Sequence, residues 1–484
     1  MDRHQNFLFR LARRLLLATA VGSSFLGAVV AQDKPNILYI FADDLAYNAI
    51  GAYGNTEVAT PNIDRLASKG MLFTHAYNQG GYHGAVCVAS RSMLVTGRYL
   101  WNVQKEEKTI RTELQAQKQL WPQLLASEGY DTYFTGKWHI KADAQKVFKV
   151  ARHIRGGMPN QTPEGYNRPH EGQPDPWSPS DPKFEGFWKG GKHWSEVVRD
   201  DTLDYLNMAK ESSNPFFMYI AFNAPHDPRQ APQSYVDRYP ISKIALPQPF
   251  YSEYPYKDDI GCSAKLRDEK LAPFPRTEYA VKVNRQEYYA IITHMDDQIG
   301  LILEGLEKVG KADSTYVVFT ADHGLGCGHH SLLGKQNMFD HSVRVPFIVS
   351  GPKIPKNERT GAHIYLQDIM PTSLEWAGAA IPDRVQFQSL NPILNGETDR
   401  GRRAIYGAYV DKQRMITMGD HKMIIYPTID KRLLFNLRDD ALEVHNLADD
   451  PSQKWRLEEM TRVLKDLQKE TGDPLDLSKQ QNKS

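Results

Sequence analysis

Asp43 and Asp44 close the segment KPNILYIFADD, residues 34–44, and Asp322 and His323 close STYVVFTADHG, residues 314–324. Three carboxylates and an imidazole at the ends of apolar segments suit a divalent cation, and oxygen ligands favour Ca²⁺ or Mg²⁺ over Zn²⁺. An aspartate at a strand end can instead cap a turn, but two such pairs ending strands of one sheet weigh against that. Lys137 and His139 stand in GKWH, His226 ends NAPH, and Lys335 lies in LLGKQ. Alone, each reads as a surface charge or a hydrogen-bonded histidine. Together they set two fixed cations and two titratable imidazoles beside the carboxylates. Such a set suits a tetrahedral oxyanion, with cations holding its charge and imidazoles moving protons near neutral pH.

Cys87 sits alone among small neighbours in HGAVCVASRSMLVTGR, residues 83–98. A helix starting near it carries Ser90, Arg91 and Ser92 in its first turns, and its free N–H groups and Arg91 favour an anion. From the residues alone it is either a buried structural cysteine or a thiolate nucleophile whose pKa is depressed by Arg91 and the helix end.

Alternating strand and helix patterns position these residues. Strands are predicted at 34–44, 131–139, 214–226, 314–324 and 342–352, with helices at 60–70, 121–130 and 285–310. In the 60–70 helix Thr60 caps, Pro61 takes the first turn and Gly70 stops it. The alternation implies an α/β fold, a doubly wound and mainly parallel sheet sandwiched by helices. Ligands of such sheets sit beyond the carboxyl ends of the strands, where every polar cluster above falls. Residues 151–196, rich in Gly, Pro, Trp and His, read as a loop-rich excursion on the same rim. The pattern changes near residue 375. Residues 32–375 read as a catalytic domain, 376–475 as a smaller α+β part with an antiparallel sheet and a closing helix, and 476–484 as a disordered tail.

The formal net charge of +1 over 484 residues argues against a general nucleic-acid binder. Residues 1–31 place Arg10, Arg13 and Arg14 before an apolar stretch and a small-residue site, the pattern of a cleaved signal peptide. The expectation is an exported protein, periplasmic or secreted, with no stable membrane anchor. The three cysteines, Cys87, Cys262 and Cys327, exclude a small disulfide scaffold and leave at least one unpaired within the chain; pairing of the other two stays open.

These residues resemble the formylglycine-dependent type I sulfatases of the alkaline-phosphatase superfamily. The family signature Cys-x-Pro-Ser-Arg, followed by x-x-Leu-x-Thr-Gly-Arg, stands here as Cys87-Val88-Ala89-Ser90-Arg91 with Leu94 and Thr96-Gly97-Arg98. PNILYIFADD, TPNIDRLASKG, GKWH, NAPH, FTADHG, GKQNMFDHSVRVP and LFNLRDDALEVHNLADDP extend the resemblance over about residues 34–450. It implies an alkaline-phosphatase-like fold and a Cys87 oxidised by a separate maturation enzyme to formylglycine. Hydrated to a diol, this group would attack sulfur, then expel sulfate. The resemblance implies one Ca²⁺ held by Asp43, Asp44, Asp322 and His323, with formylglycine-87 completing the shell. Arg91 and Lys137 would hold the diol, His139 would be the base of the elimination, and His226 the acid for the leaving oxygen. His226 and Lys335 would contact sulfate, and His330 would lie near the substrate. Two departures stand out. Ala89 replaces the usual Pro, and His323 stands where many relatives have Asn.

The implied reaction is sulfate-ester hydrolysis. A phosphonate monoester or phosphodiester hydrolase would use the same groups, because both anions are tetrahedral. A non-catalytic carbohydrate-binding relative is disfavoured, since every expected position is filled. A sulfated carbohydrate is the expected substrate, with choline sulfate and aryl sulfates as alternatives. Its support is an aromatic and basic rim of Trp188, Lys192, His193 and Trp194; the alternative for FEGFWKGGKHWSEV is a loop packed onto the domain.

Overall fold

Ile37 to Ala42 form an unbroken apolar run with no polar face, so β1 (Asn36–Asp43) needs cover on both sides, and these residues are fully buried. The computed structural model describes residues 34–159 and 161–477. The signal segment over 1–31 and all but the start of the expected tail lie outside them. Among the described residues, the strands after β1 are β2 (Gly70–Tyr77), β3 (Gly80–Gly81), β4 (Asp131–Lys137), β5 (Val150–Arg155), β6 (Trp188–Lys189), β7 (Lys192–His193), β8 (Phe216–Pro225), β9 (Thr315–Ala321), β10 (Arg344–Ser350), β11 (Glu358–Tyr365), β12 (Ile405–Tyr409), β13 (Gln413–Met418), β14 (His421–Tyr426) and β15 (Lys431–Asn436).

Eight strands form the main sheet in the order β11-β2-β10-β9-β1-β8-β4-β5. All neighbours run parallel except β10, which is antiparallel to both β2 and β9. The doubly wound, mainly parallel sheet is therefore present. β9, β1, β8 and β4 are consecutive in it, so their carboxyl ends form one short stretch of rim.

The helices that matter for the site are α1 (Pro61–Ser68), α2 (Val86–Thr96), α3 (Leu100–Glu106), α4 (Trp194–Lys210), α5 (Glu278–Lys308) and α6 (Lys454–Thr471). Two expected helix signals act differently. The Thr60 hydroxyl does not cap α1; it accepts from the Gly51 N–H and donates to Asp64. The α1 N-terminus is capped from α5, where Asp296 accepts the N–H groups of Asn62 (3.0 Å) and Ile63 (2.8 Å). Gly70 begins β2, and a Cβ there would lie 2.2 Å from the Val349 carbonyl, so close strand packing demands the glycine.

The stretch 151–196 is not all excursion. It carries most of β5 at the sheet edge, the β6–β7 hairpin and the start of α4. Buried Arg168 anchors the intervening loop, pairing with Glu287 of α5 at 2.7 Å. A second sheet, β15-β14-β13-β12-β3, is antiparallel save for its last pair. Its edge strand is Gly80–Gly81, borrowed from the segment that leads into α2. Gly80 has φ 93°, and a Cβ there would lie 2.0 Å from the Ala408 carbonyl. One continuous apolar core runs from β1 through α6, so the change of pattern near residue 375 marks a change of sheet within one body. Cys262 and Cys327 are both free and buried, with Sγ groups facing the carbonyls of Gln336 and Asn284.

Candidate active site

α2 starts one residue before Cys87 and ends at Gly97, whose φ of 71° closes the helix with an N–H to the Met93 carbonyl. Cys87 thus lies in the first turn and points at the end of β1. Its Sγ is 3.4 Å from Asp43 Oδ1, 3.5 Å from Asp44 Oδ1 and 3.1 Å from Lys335 Nζ. The thiol is 2% exposed. Burial, reinforced by the Asp322 charge and only partly offset by Lys137 and Lys335, pushes its pKa well up. That direction runs against the thiolate reading, which needs a depressed thiol pKa.

The carboxylates and cations interlock. Asp43 accepts a short hydrogen bond from Lys137 and lies 3.6 Å from an Arg91 nitrogen. Asp44 Oδ1 accepts from Lys335 Nζ at 2.6 Å, and its Oδ2 is 3.4 Å from His226 Nε2. Asp322 Oδ2 accepts from Arg91 Nε at 2.8 Å, while its Oδ1 accepts the Asp44 N–H at 3.1 Å. Burial raises Asp44, partly offset by Lys335 and His226. Burial also works to raise Asp322, but Arg91, Lys137 and Lys335 outweigh it and hold that carboxyl well below the usual range.

Asp43, Asp44, Cys87 and His226 bring their ligand atoms within 4.8 Å of one another. Asp322 joins this group through the Asp44 backbone and Arg91. His323 lies beside it, with Nδ1 held by the Ser342 carbonyl at 3.2 Å and a buried Nε2 that has no hydrogen-bond partner. Burial lowers this imidazole to about 4, against the pull of Asp322. A neutral imidazole with an open nitrogen beside three carboxylates fits a hard divalent cation.

Two imidazoles flank the set. His226 Nδ1 donates to the Asp227 carbonyl at 2.8 Å and lies 3.2 Å from the Asp227 carboxylate, so its Nε2 faces the site. His139 follows β4 at φ 54°, and its buried Nδ1 has no partner. Burial, then Lys137, Arg91 and Lys335, lower it to about 2.

Other candidates do not gather here. His193 is buried; its Nε2 donates to the Gln230 carbonyl and its Nδ1 accepts the Ser195 N–H, capping α4. Trp194 is buried with Arg155 over its ring at 4.3 Å, and Trp188 packs edge-on against His193 at 5.2 Å. Lys192 pairs with Asp200. His330 stacks on Phe339 at 3.7 Å and donates to the Glu443 carbonyl. His193, Trp194 and His330 are thus buried and held by neighbours within the fold.

Sequence reasoning passed over Asn78 and Asp227. Asn78 and Ser90 both donate to the Asp322 carbonyl, at 2.6 and 2.9 Å, and lock the turn after β9. Nothing in YNQGG marks Asn78 until β2 is recognised as a strand with its own carboxyl end. Asp227 binds Arg267 and holds His226; its position next to a candidate histidine was the available signal.

Comparison with known proteins agrees with this geometry. The Sulfatase family model matches residues 35–379, and the model "N-sulphoglucosamine sulphohydrolase, C-terminal" matches residues 328–470. An N-acetylglucosamine-6-O-sulfatase of Bacteroides thetaiotaomicron is 26% identical, over 91% of this chain and 87% of that protein. An arylsulfatase of Clostridium perfringens is 27% identical, over 89% and 94%. In fold, a protein solved with its substrate D-glucosamine-2-N,6-O-disulfate superposes with a TM-score of 0.71, at 22% identity over 91% of this chain and 99% of that one. A phosphonate monoester hydrolase of Agrobacterium radiobacter does so at 0.70, with 20% identity over 90% and 96%. On the family match across most of its length, the chain belongs to the sulfatase family of the alkaline-phosphatase superfamily and is a sulfuric ester hydrolase.

Proposed function

We propose that the protein hydrolyses a sulfate ester of a carbohydrate, using formylglycine made from Cys87 and one Ca²⁺. The observation that carries this is the placement of Cys87: buried in the first turn of α2 and touched by Asp43, Asp44 and Lys335. Asp43, Asp44, Asp322 and His323 would hold the cation, whose charge favours an anionic ester, and oxidised residue 87 would supply the hydroxyl nucleophile. Three carboxylates against Arg91, Lys137 and Lys335 leave the site without net charge before the cation binds.

The chain's own residues divide the remaining work. Arg91 and Lys137 hold residue 87 and the carboxylates in register. Lys335 and His226 hold sulfate oxygens. As the ester S–O bond breaks, His226 Nε2 delivers a proton to the departing alcohol oxygen. His139, kept neutral, accepts the proton whose loss releases sulfate. A carbohydrate substrate is supported by the named relatives, which include an N-acetylglucosamine-6-O-sulfatase and an ulvan-active sulfatase. Export after signal cleavage is supported by the Arg10–Arg14 segment and the apolar stretch after it; no described helix is long and apolar enough to cross a membrane.

A phosphonate monoester hydrolase is the second reading, favoured by two solved neighbours of that activity at TM-score 0.70. The deciding experiment is the mass of the Cys87 peptide after coexpression with a formylglycine-generating enzyme, followed by parallel assays on sulfated monosaccharides and a phosphodiester. Formylglycine with faster sulfate release supports the proposal. Faster phosphodiester cleavage by the matured enzyme would replace it with the second reading.

A further inference from the structure

The reacting groups are buried, so the alcohol half of an ester must lie in space that adjoins them. A cavity of about 530 Å³ does so, with His139 in its lining. Ala85 and Val88, which flank Cys87 at the start of α2, line it too, and Ile140 extends their apolar wall. The volume falls within the roughly 300–1,000 Å³ of small-molecule sites. None of Trp188, Lys192, His193 and Trp194 lines it.

The polar lining is specific. Glu107, immediately after α3, faces this cavity with a side chain 12% exposed. Its Oε1 accepts from Lys141 Nζ at 2.9 Å, and its Oε2 is 3.9 Å from His83 Nε2, beyond hydrogen-bond length. A carboxylate offers about four lone-pair sites. Lys141 uses one and the neighbouring Tyr82 hydroxyl at most a second, so acceptor capacity remains toward the cavity. An acceptor-only group in the same cavity as an apolar wall suits a pyranose ring, whose C–H face packs while its O–H or N–H groups donate.

We propose that Glu107, framed by His83 and Lys141, is the specificity-determining residue of the alcohol subsite. It selects a sugar ring that carries hydroxyl or amide N–H donors beside the ester. This rests on the sulfate-ester reading of the neighbouring site.

The test separates binding from turnover. Monosulfated hexoses and hexosamines, including N-acetylglucosamine 6-sulfate, are titrated calorimetrically into the Cys87→Ala chain with Ca²⁺ present, with and without Glu107→Gln. At least one should bind, and Glu107→Gln should weaken it tenfold or more, with Glu107→Asp recovering part. In matured enzyme, Glu107→Gln should raise KM for that sugar at least tenfold more than for p-nitrophenyl sulfate. Ala85→Trp, a change at an exposed position that fills the cavity, should also abolish sugar binding. Equal losses on both esters, or no sugar bound at all, would overturn the subsite. If matured wild-type protein cleaves a phosphodiester and no sulfate ester, the sulfatase reading fails instead, whatever Glu107→Gln does.

Discussion

Buried charge gathers in two places, and the two are built to opposite ends. Where the two sheets meet, Lys422 of β14 binds Asp340 Oδ1 at 2.7 Å and Glu443 Oε1 at 2.8 Å. Asp340 Oδ2 faces Arg344 at 3.2 Å, and Glu443 Oε2 accepts the Asp340 N–H at 2.6 Å. Three of the four carboxylate oxygens accept a hydrogen bond, and the fourth, Glu443 Oε1, is held only by its ion pair with Lys422. At the ends of β1 and β9 the count of charges is also even, yet His323 Nε2, His139 Nδ1 and one Arg91 nitrogen are buried with no hydrogen-bond partner. A saturated cluster holds sheets together. An unsaturated one has its missing partners supplied by a ligand.

The largest expected effect falls on the open cluster. Cys87→Ala should lower sulfate release at least about 10⁴-fold and change unfolding free energy by less than ~1 kcal/mol; residual turnover near wild type would break the assignment. The sealed cluster should behave in reverse. Lys422→Met leaves two buried carboxylates short of a cation and should cost about 3–5 kcal/mol in urea unfolding. If Lys137→Met cost as much, the two clusters would not differ in kind. A ligand should stabilise only the open one. Ca²⁺ at a hundred times its Kd should add about 2.7 kcal/mol, and His323→Ala should shrink that gain while Glu443→Gln leaves it.

Acid sharpens the contrast further. Burial lowers His330 to about 4, so its contribution is present above 6.5 and lost as pH falls. Burial, with the Asp340 charge behind it, raises Glu443 to about 7 despite Lys422, so its contribution is full below 4.5 and lost as pH rises. The two slopes oppose between pH 4.5 and 6.5. Glu443→Gln removes one of them, and stability should then fall more steeply on acidification, by up to about 1.4 kcal/mol per pH unit, the slope of one proton. The smallest effect belongs to the surface. Lys192→Ala, breaking an exposed pair with Asp200, should move stability by no more than ~0.5 kcal/mol.

Five strands and four helices of the catalytic part, the one at Cys87 included, were legible because buried parallel strands are continuous apolar runs and helices carry a period or a start signal. β2 and β11 were passed over: His75 and Thr74 interrupt one, and exposed Glu358 and Arg359 open the other, so neither shows an unbroken run. The antiparallel return of β10 leaves no mark in a strand whose two faces are both buried. Within the run 184–194 the letters alone did not separate His193 and Trp194, which are buried, from half-buried Trp188 and exposed Lys192.

What the sequence determined by itself is the chemistry. Asp43, Asp44, Lys137, His139, His226, Asp322, His323 and Lys335 end or follow apolar segments, and a parallel sheet collects such ends on one rim. What only the tertiary structure decided is contact and burial. It buried Cys87 against Asp43, Asp44 and Lys335, set Asp227 behind His226, turned His193 into a helix cap and brought Glu107 into one cavity with Ala85 and Val88. Those outcomes depend on groups far apart in the chain meeting away from water, where the strength of a charge or hydrogen bond is set by its surroundings.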